Sequence, residues 1–149
     1  RTILGKDVTE ILALKPAIKR KLVHRPLAPR IPSGEPISFV SSTGKLVRIK
    51  WLIINAPGVK KIIRDDFIHR FGGPPEQFES ECVEIKILPE NELQNPQTHF
   101  IVLDRKSVMV ILRQPKPYLS LFVNDSAMAE VYASFFEKMW EKGIPYEET

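Results

Sequence analysis

The sequence predicts a mixed α/β (α+β) domain, a mixed β-sheet flanked by helices and preceded by a basic helix and a Pro-rich linker. Three observations carry this. Two apolar runs, 101–103 and 108–112, flank the polar turn Asp104-Arg-Lys-Ser107, and a third, 119–123, follows. Residues 126–142 then form an amphipathic helical segment. Upstream, the β-branched runs 46–54 and 82–88 bracket a second helical pattern.

From the N-terminus, Ile11, Leu12, Leu14, Ile18 and Leu22 have helical spacing, so 9–23 reads as a connecting helix with Pro16 near its start or kinking it. Pro26, Pro29, Pro32, Gly34 and Pro36 make a stiff extended segment. The expected organisation is therefore a basic helix and linker over 1–34 and an α/β unit over 35–149. Residues 37–41 read as a strand. The run 46–54 suits a central strand better than a buried helix, although periodicity alone does not separate them.

Asn55-Ala-Pro57-Gly58 starts a helix whose inward face is Val59, Ile62, Ile63, Phe67 and Phe71, and Gly72-Gly-Pro-Pro75 stops it. Lys60, Lys61, Arg64 and Arg70 point outward. Residues 82–88 form the next strand. In the last helix, Met128, Val131, Tyr132, Phe135, Phe136, Met139 and Trp140 make one apolar stripe expected to be buried. Asp125 or Ser126 caps its start, and Gly143 with Pro145 stops it.

Composition narrows the class. With 149 residues and 43% hydrophobic content the chain fits one domain of ordinary core size. A single cysteine, Cys82, excludes an internal disulfide framework and a cysteine-based zinc site, as suits a reducing, cytoplasmic address. No apolar run approaches the roughly 20 residues that span a bilayer as a helix. The start at Arg1, which is neither an initiator Met nor a signal peptide, reads as that of an excised fragment.

Charge is uneven. Residues 1–50 hold 11 Lys/Arg against 3 Asp/Glu, and 51–149 hold 11 against 15. Lys15, Lys19, Arg20, Lys21 and Arg25 are thus candidate nucleic-acid contacts, although no aromatic residue is interleaved to stack on bases. A solvated helix face is the plain alternative.

Several motifs carry possible chemistry. Ser41-Ser-Thr-Gly44-Lys45 resembles the end of a phosphate-binding loop, but the leading glycine falls on Phe39 and the hydroxyl after the lysine on Leu46. Thr43 and Lys45 remain weak anion candidates. Glu84-Ile-Lys86 matches the Glu-x-Lys element of metal-dependent nucleases, with Asp65 and Asp66 upstream on a helix. His24, His69 and His99 show no metal-ligand spacing, so no metal site and no cofactor are expected.

The runs 83–88, His99-Phe-Ile-Val-Leu-Asp104, 108–112 and 119–125, with Phe135-Phe136-Glu137-x-x-Trp140, resemble the phospholipase-D-like C-terminal domain of archaeal TrmB-type transcription regulators. The resemblance covers residues 37–145 and implies a phospholipase-D-like half-fold. Active members of that superfamily carry His-x-Lys-x-x-x-x-Asp. Aligned on Asp104, the histidine position is Gln97 and the lysine position His99, and Arg113-Gln-Pro115 stands where a Gly-Ser pair would follow. Without that nucleophile the covalent route is closed.

The resemblance thus implies a non-enzymatic, homodimeric domain that senses a small-molecule effector for a DNA-binding regulator. DNA would be bound by a winged helix N-terminal to this chain, and 7–23 would be the remnant of the connecting helix. Gln97, His99 and Asp104 become the expected ligand contacts, with Thr43 and Lys45 as outside candidates. A metal-dependent nuclease on Glu84 and Lys86, or a nucleic-acid-binding module on the basic arm, are the competing readings.

Overall fold

The computed structural model describes residues 2–3, 7–19, 27–112 and 118–149, and of residues 2–3 the backbone alone. Among the described residues nine strands and two α-helices follow one another as β1 (Thr2–Ile3), β2 (Glu10–Pro16), β3 (Phe39–Val40), β4 (Arg48–Ile54), α1 (Val59–Phe71), β5 (Val83–Leu88), β6 (Phe100–Leu103), β7 (Ser107–Leu112), β8 (Leu119–Val123), α2 (Ser126–Glu141) and β9 (Ile144–Pro145). Seven strands form one mixed sheet in the order β8-β7-β6-β2-β4-β5-β9, while β1 and β3 pair separately. Strands β2, β4 and β5 run parallel, and every other pairing in the large sheet is antiparallel.

Each face of the sheet carries one helix. On one face Leu12, Leu14, Leu52, Phe100, Val102 and Val108 pack against α2. On the other, Ile49, Ile53, Ile85 and Ile87 pack against Val59, Ile63 and Phe67 of α1. The period-2 alternation of the strands assigns alternate residues to the two cores. The expected layers, the 46–54 strand, the hairpin and both helices are all present.

The connecting helix expected over 9–23 is replaced by a strand in its first half, while 20–23 lie outside the described residues. Residues 10–16 form β2, the central strand, bonded to β4 on one side and β6 on the other. Leu12, Ala13 and Leu14 are all buried, on alternating faces. A strand covered on both sides reads as a continuous apolar run, which mimics a buried helical segment. Residues 10–16 therefore belong to the sheet, not to an arm ahead of it.

The Pro-rich segment is also docked. Ile31 N–H donates to Gly72 O at 2.9 Å, and Gln77 Nε2 donates to Pro32 O at 2.8 Å and Glu35 O at 3.0 Å. Gly72 ends α1 at φ 88°, and a Cβ there would lie 2.3 Å from Pro29 O, so glycine is required twice over.

In α2 the buried residues are Ala129, Ala133, Phe136, Met139 and Trp140, the last three of them as expected. The expected stripe is rotated, because the two alanines let the helix axis approach the sheet. Met128, Val131 and Phe135 are consequently 40%, 64% and 38% exposed. Asp125 caps the helix, its side chain accepting from Ala127 N–H at 3.2 Å.

Candidate ligand site at the carboxyl edge of the sheet

The parallel strands β2, β4 and β5 end at Pro16, Ile54 and Leu88. The pairing register places the start of β6, the end of β7 and the start of β8 along that same edge. In open α/β sheets the carboxyl edge is where connections diverge and leave a crevice. Here a cleft of about 300 Å³ opens over Phe100 and Val110, walled by Asn95, Gln97, Thr98, His99, Leu112 and Tyr132.

The loop leading into β6 builds one wall. Asn95 Oδ1 accepts the Gln97 N–H at 2.9 Å, and Asn95 O accepts the Thr98 hydroxyl at 2.6 Å. This tight turn presents the exposed Gln97 side chain. His99 O accepts the Ile111 N–H at 2.9 Å, which holds the half-buried His99 beside β7. Tyr132 closes the opposite wall, its ring packed edge-on against Phe100 at 5.0 Å between centroids. Among the described residues the lining holds amide, hydroxyl, imidazole and aromatic groups and no Asp, Glu, Lys or Arg side chain.

Of the expected ligand residues the cleft unites Gln97 and His99 only. Asp104 stands at the other end of β6, five residues and about 17 Å of strand away. Its Oδ1 accepts from Thr9 N–H at 3.0 Å, Thr9 Oγ1 at 3.2 Å and Glu10 N–H at 2.8 Å. Asp104 therefore ties the hairpin to the start of β2. It and Arg105 both have left-handed backbones, φ 50° and 54°, which these bonds and the Arg105 ion pairs with Glu10 and Glu137 hold in place.

Thr43 and Lys45 also lie away from the cleft, in the turn before the amino end of β4. Thr43 Oγ1 donates to Asp7 Oδ1 at 2.5 Å, and Lys45 Nζ is 3.9 Å from Asp7 Oδ2. The Thr43 hydroxyl holds the Asp7 carboxyl below the ordinary aspartate range, against a smaller opposing effect of desolvation and with further help from Lys45.

The competing site residues are likewise dispersed. Lys15 pairs with Asp66 at 3.9 Å beneath α1, and its side chain is only 16% exposed, so it does not form part of a solvated basic face. Lys19 lines a separate pocket with Ile18, Pro57, Gly58 and Lys61. Arg20, Lys21 and Arg25 lie outside the described residues. Glu84 and Lys86 alternate with the buried Ile85 and Ile87, so they face α2, whereas Asp65 and Asp66 belong to α1 on the opposite face. Lys86 Nζ donates to Trp140 O at 3.2 Å and sits over the Trp140 ring. Its role is to close the carboxyl end of α2. No group of acids and histidines among the described residues is arranged to hold a metal ion.

Sequence reasoning missed Asn95, Thr98, Leu112 and Tyr132. The Asn95-Pro-Gln-Thr98 turn signal was available, and Tyr132 was assigned to the core stripe.

No family model matches this chain, and no curated protein does. Among solved structures, Nuc from Salmonella typhimurium, a phospholipase D family member, superposes with a TM-score of 0.52 at 10% identity, covering 93% of this chain and 82% of that chain. The fold is phospholipase-D-like. No helix among the described residues is long and apolar enough to cross a membrane.

Proposed function

We propose that this phospholipase-D-like domain is a non-catalytic effector-binding and subunit-pairing domain of a cytoplasmic transcription regulator. The observation that carries this reading is the cleft that places Gln97 and His99 together. On the resemblance these are the positions of the attacking histidine and the phosphate-holding lysine. An amide in place of the nucleophile cannot form the phosphoenzyme bond, and the described residues of the lining include no lysine or arginine to hold a phosphodiester. Amide, hydroxyl and imidazole groups beside the Tyr132 ring suit a neutral, hydroxyl-rich small molecule.

The mechanism is linkage. A ligand that favours one arrangement of paired domains shifts the DNA affinity of an attached reader by its coupling free energy, typically about 1–3 kcal/mol. DNA contact in this reading belongs to a winged helix elsewhere in the parent protein.

A thermal-shift screen against neutral sugars, nucleotides, phosphorylated metabolites and divalent metals tests the proposal. A ligand at about 100 times its dissociation constant adds roughly 2.7 kcal/mol, a rise of several degrees in a domain of this size. The expected result is a shift by a neutral polyol that Gln97→Ala and His99→Ala both weaken. Hydrolysis of an aryl phosphodiester that disappears in His99→Ala would overturn the non-catalytic reading.

A further inference from the structure

The two edges of the large sheet are built in opposite ways. Strand β9 at one edge is two residues long and includes Pro145, so little backbone is offered to another strand. Strand β8 at the other edge is five residues long, and among the described residues it pairs with β7 alone. The stretch Tyr118-Leu-Ser-Leu-Phe-Val-Asn124 contains no charge and no proline. Its side chains are exposed on both faces. Leu119 (58%) and Leu121 (55%) lie on the α2 side with Val110 and Leu112, and Phe122 (52%) lies on the other side with Met109.

We infer that β8 is the site where a second copy of this chain adds to the sheet, antiparallel, β8 against β8, about a two-fold axis at Leu121. This rests on the subunit-pairing part of the reading above and names its surface. Apolar exposure on both faces of one edge strand is what a continuing sheet removes, because the added strand brings a neighbour for each face. The strand is also self-complementary. With Leu121 opposite its own copy, Leu119 meets Val123 on the α2 side, and Phe122 lies opposite Ser120 on the other. A two-fold axis requires that match.

The area agrees with this occupant. Tyr118, Leu119, Leu121, Phe122, Met128 and Val131 are each about half exposed. At about 100 Å² apiece they present about 600 Å² per copy, or about 1,200 Å² in all, the lower bound of a stable specific interface. Helix α2 starts three residues beyond β8 and carries the exposed Met128 and Val131 in its first turns.

Sedimentation of the full chain from 1 to 100 µM, with Leu121→Lys alongside, tests the inference. The expected result is a dimer whose dissociation constant rises at least tenfold in Leu121→Lys while the melting temperature at monomeric concentration is unchanged. Opposed residues of an antiparallel pair have Cα atoms about 4.5–5.5 Å apart, within disulfide range. Leu121→Cys should therefore oxidise to a covalent dimer and Ile144→Cys, on the opposite edge, should not, with the buried Cys82 silent in both. A chain that stays monomeric at 100 µM, or a dimer indifferent to Leu121→Lys, would overturn the inference. A ligand-induced thermal shift in such a monomer would leave the cleft reading standing and remove only the edge pairing.

Discussion

Strand β6 has two ends of opposite character. At one, Gln97 and His99 line a cleft together with amide, hydroxyl and aromatic groups. At the other, Asp104 accepts three hydrogen bonds from Thr9 and Glu10 and holds the hairpin to the sheet's central strand. Seven positions of sequence separate Gln97 from Asp104, and the extended backbone turns that spacing into opposite rims of the sheet. A linear motif across one strand thus divides its labour. One end meets ligand and the other secures the strand that presents it.

Substitution at the two ends should separate stability from binding. The largest stability effect belongs to Asp104→Ala. It leaves the backbone N–H groups of Thr9 and Glu10, at the start of β2, without their acceptor and should cost about 3 kcal/mol, lowering the melting temperature by roughly 6–12 °C. Ligand affinity should stay within about twofold. Asp104→Asn, which keeps one acceptor oxygen, should recover about half of the loss, as read by urea unfolding.

His99→Ala should do the reverse, with a smaller stability cost of about 1 kcal/mol and a tenfold or greater loss of ligand affinity by calorimetry. Equal losses of stability and affinity in both variants would dissolve the contrast.

Arg105→Ala should fall below about 1 kcal/mol, because its ion pairs with Glu10 and Glu137 are substantially solvated. Its cost should also shrink in high salt.

The smallest effect concerns Asp7, whose lowered carboxyl is held mainly by Thr43. A depressed acid stabilises the fold above its unfolded value, ordinarily 3.8 for aspartate, and loses that contribution as pH falls through the folded value. The urea midpoint difference between the wild-type chain and Asp7→Asn should therefore be constant above about pH 5 and shrink in acid.

The last third of the chain was legible because its signals are local. Asp125 capping α2, the polar turn after Leu103 and the stop at Gly143 each act within a few residues. What failed was non-local. Leu12, Ala13 and Leu14 are apolar because both faces of β2 are covered, and only the tertiary structure distinguishes such a run from a buried helix. The buried face of α2 keeps the expected Phe136, Met139 and Trp140 but turns on Ala129 and Ala133, because small residues decide how closely a helix approaches a sheet. The pairing of Gln97 with His99 came from their shared strand end. Asp104 was misplaced because motif spacing does not say which rim a residue occupies.

The position of β2 also orders events in time. It precedes both its partners, its antiparallel partner β6 emerging some 90 residues later and its parallel partner β4 some 40 later. A sheet closed by contacts so distant in sequence cannot nucleate around its first strand, and folding should be slow for a domain of this length. Until β6 arrives, Leu12 and Leu14 have no complete core to enter, and this apolar stretch is open to off-pathway association. The strand that joins the two halves of the sheet is therefore also the one that waits longest for both its partners.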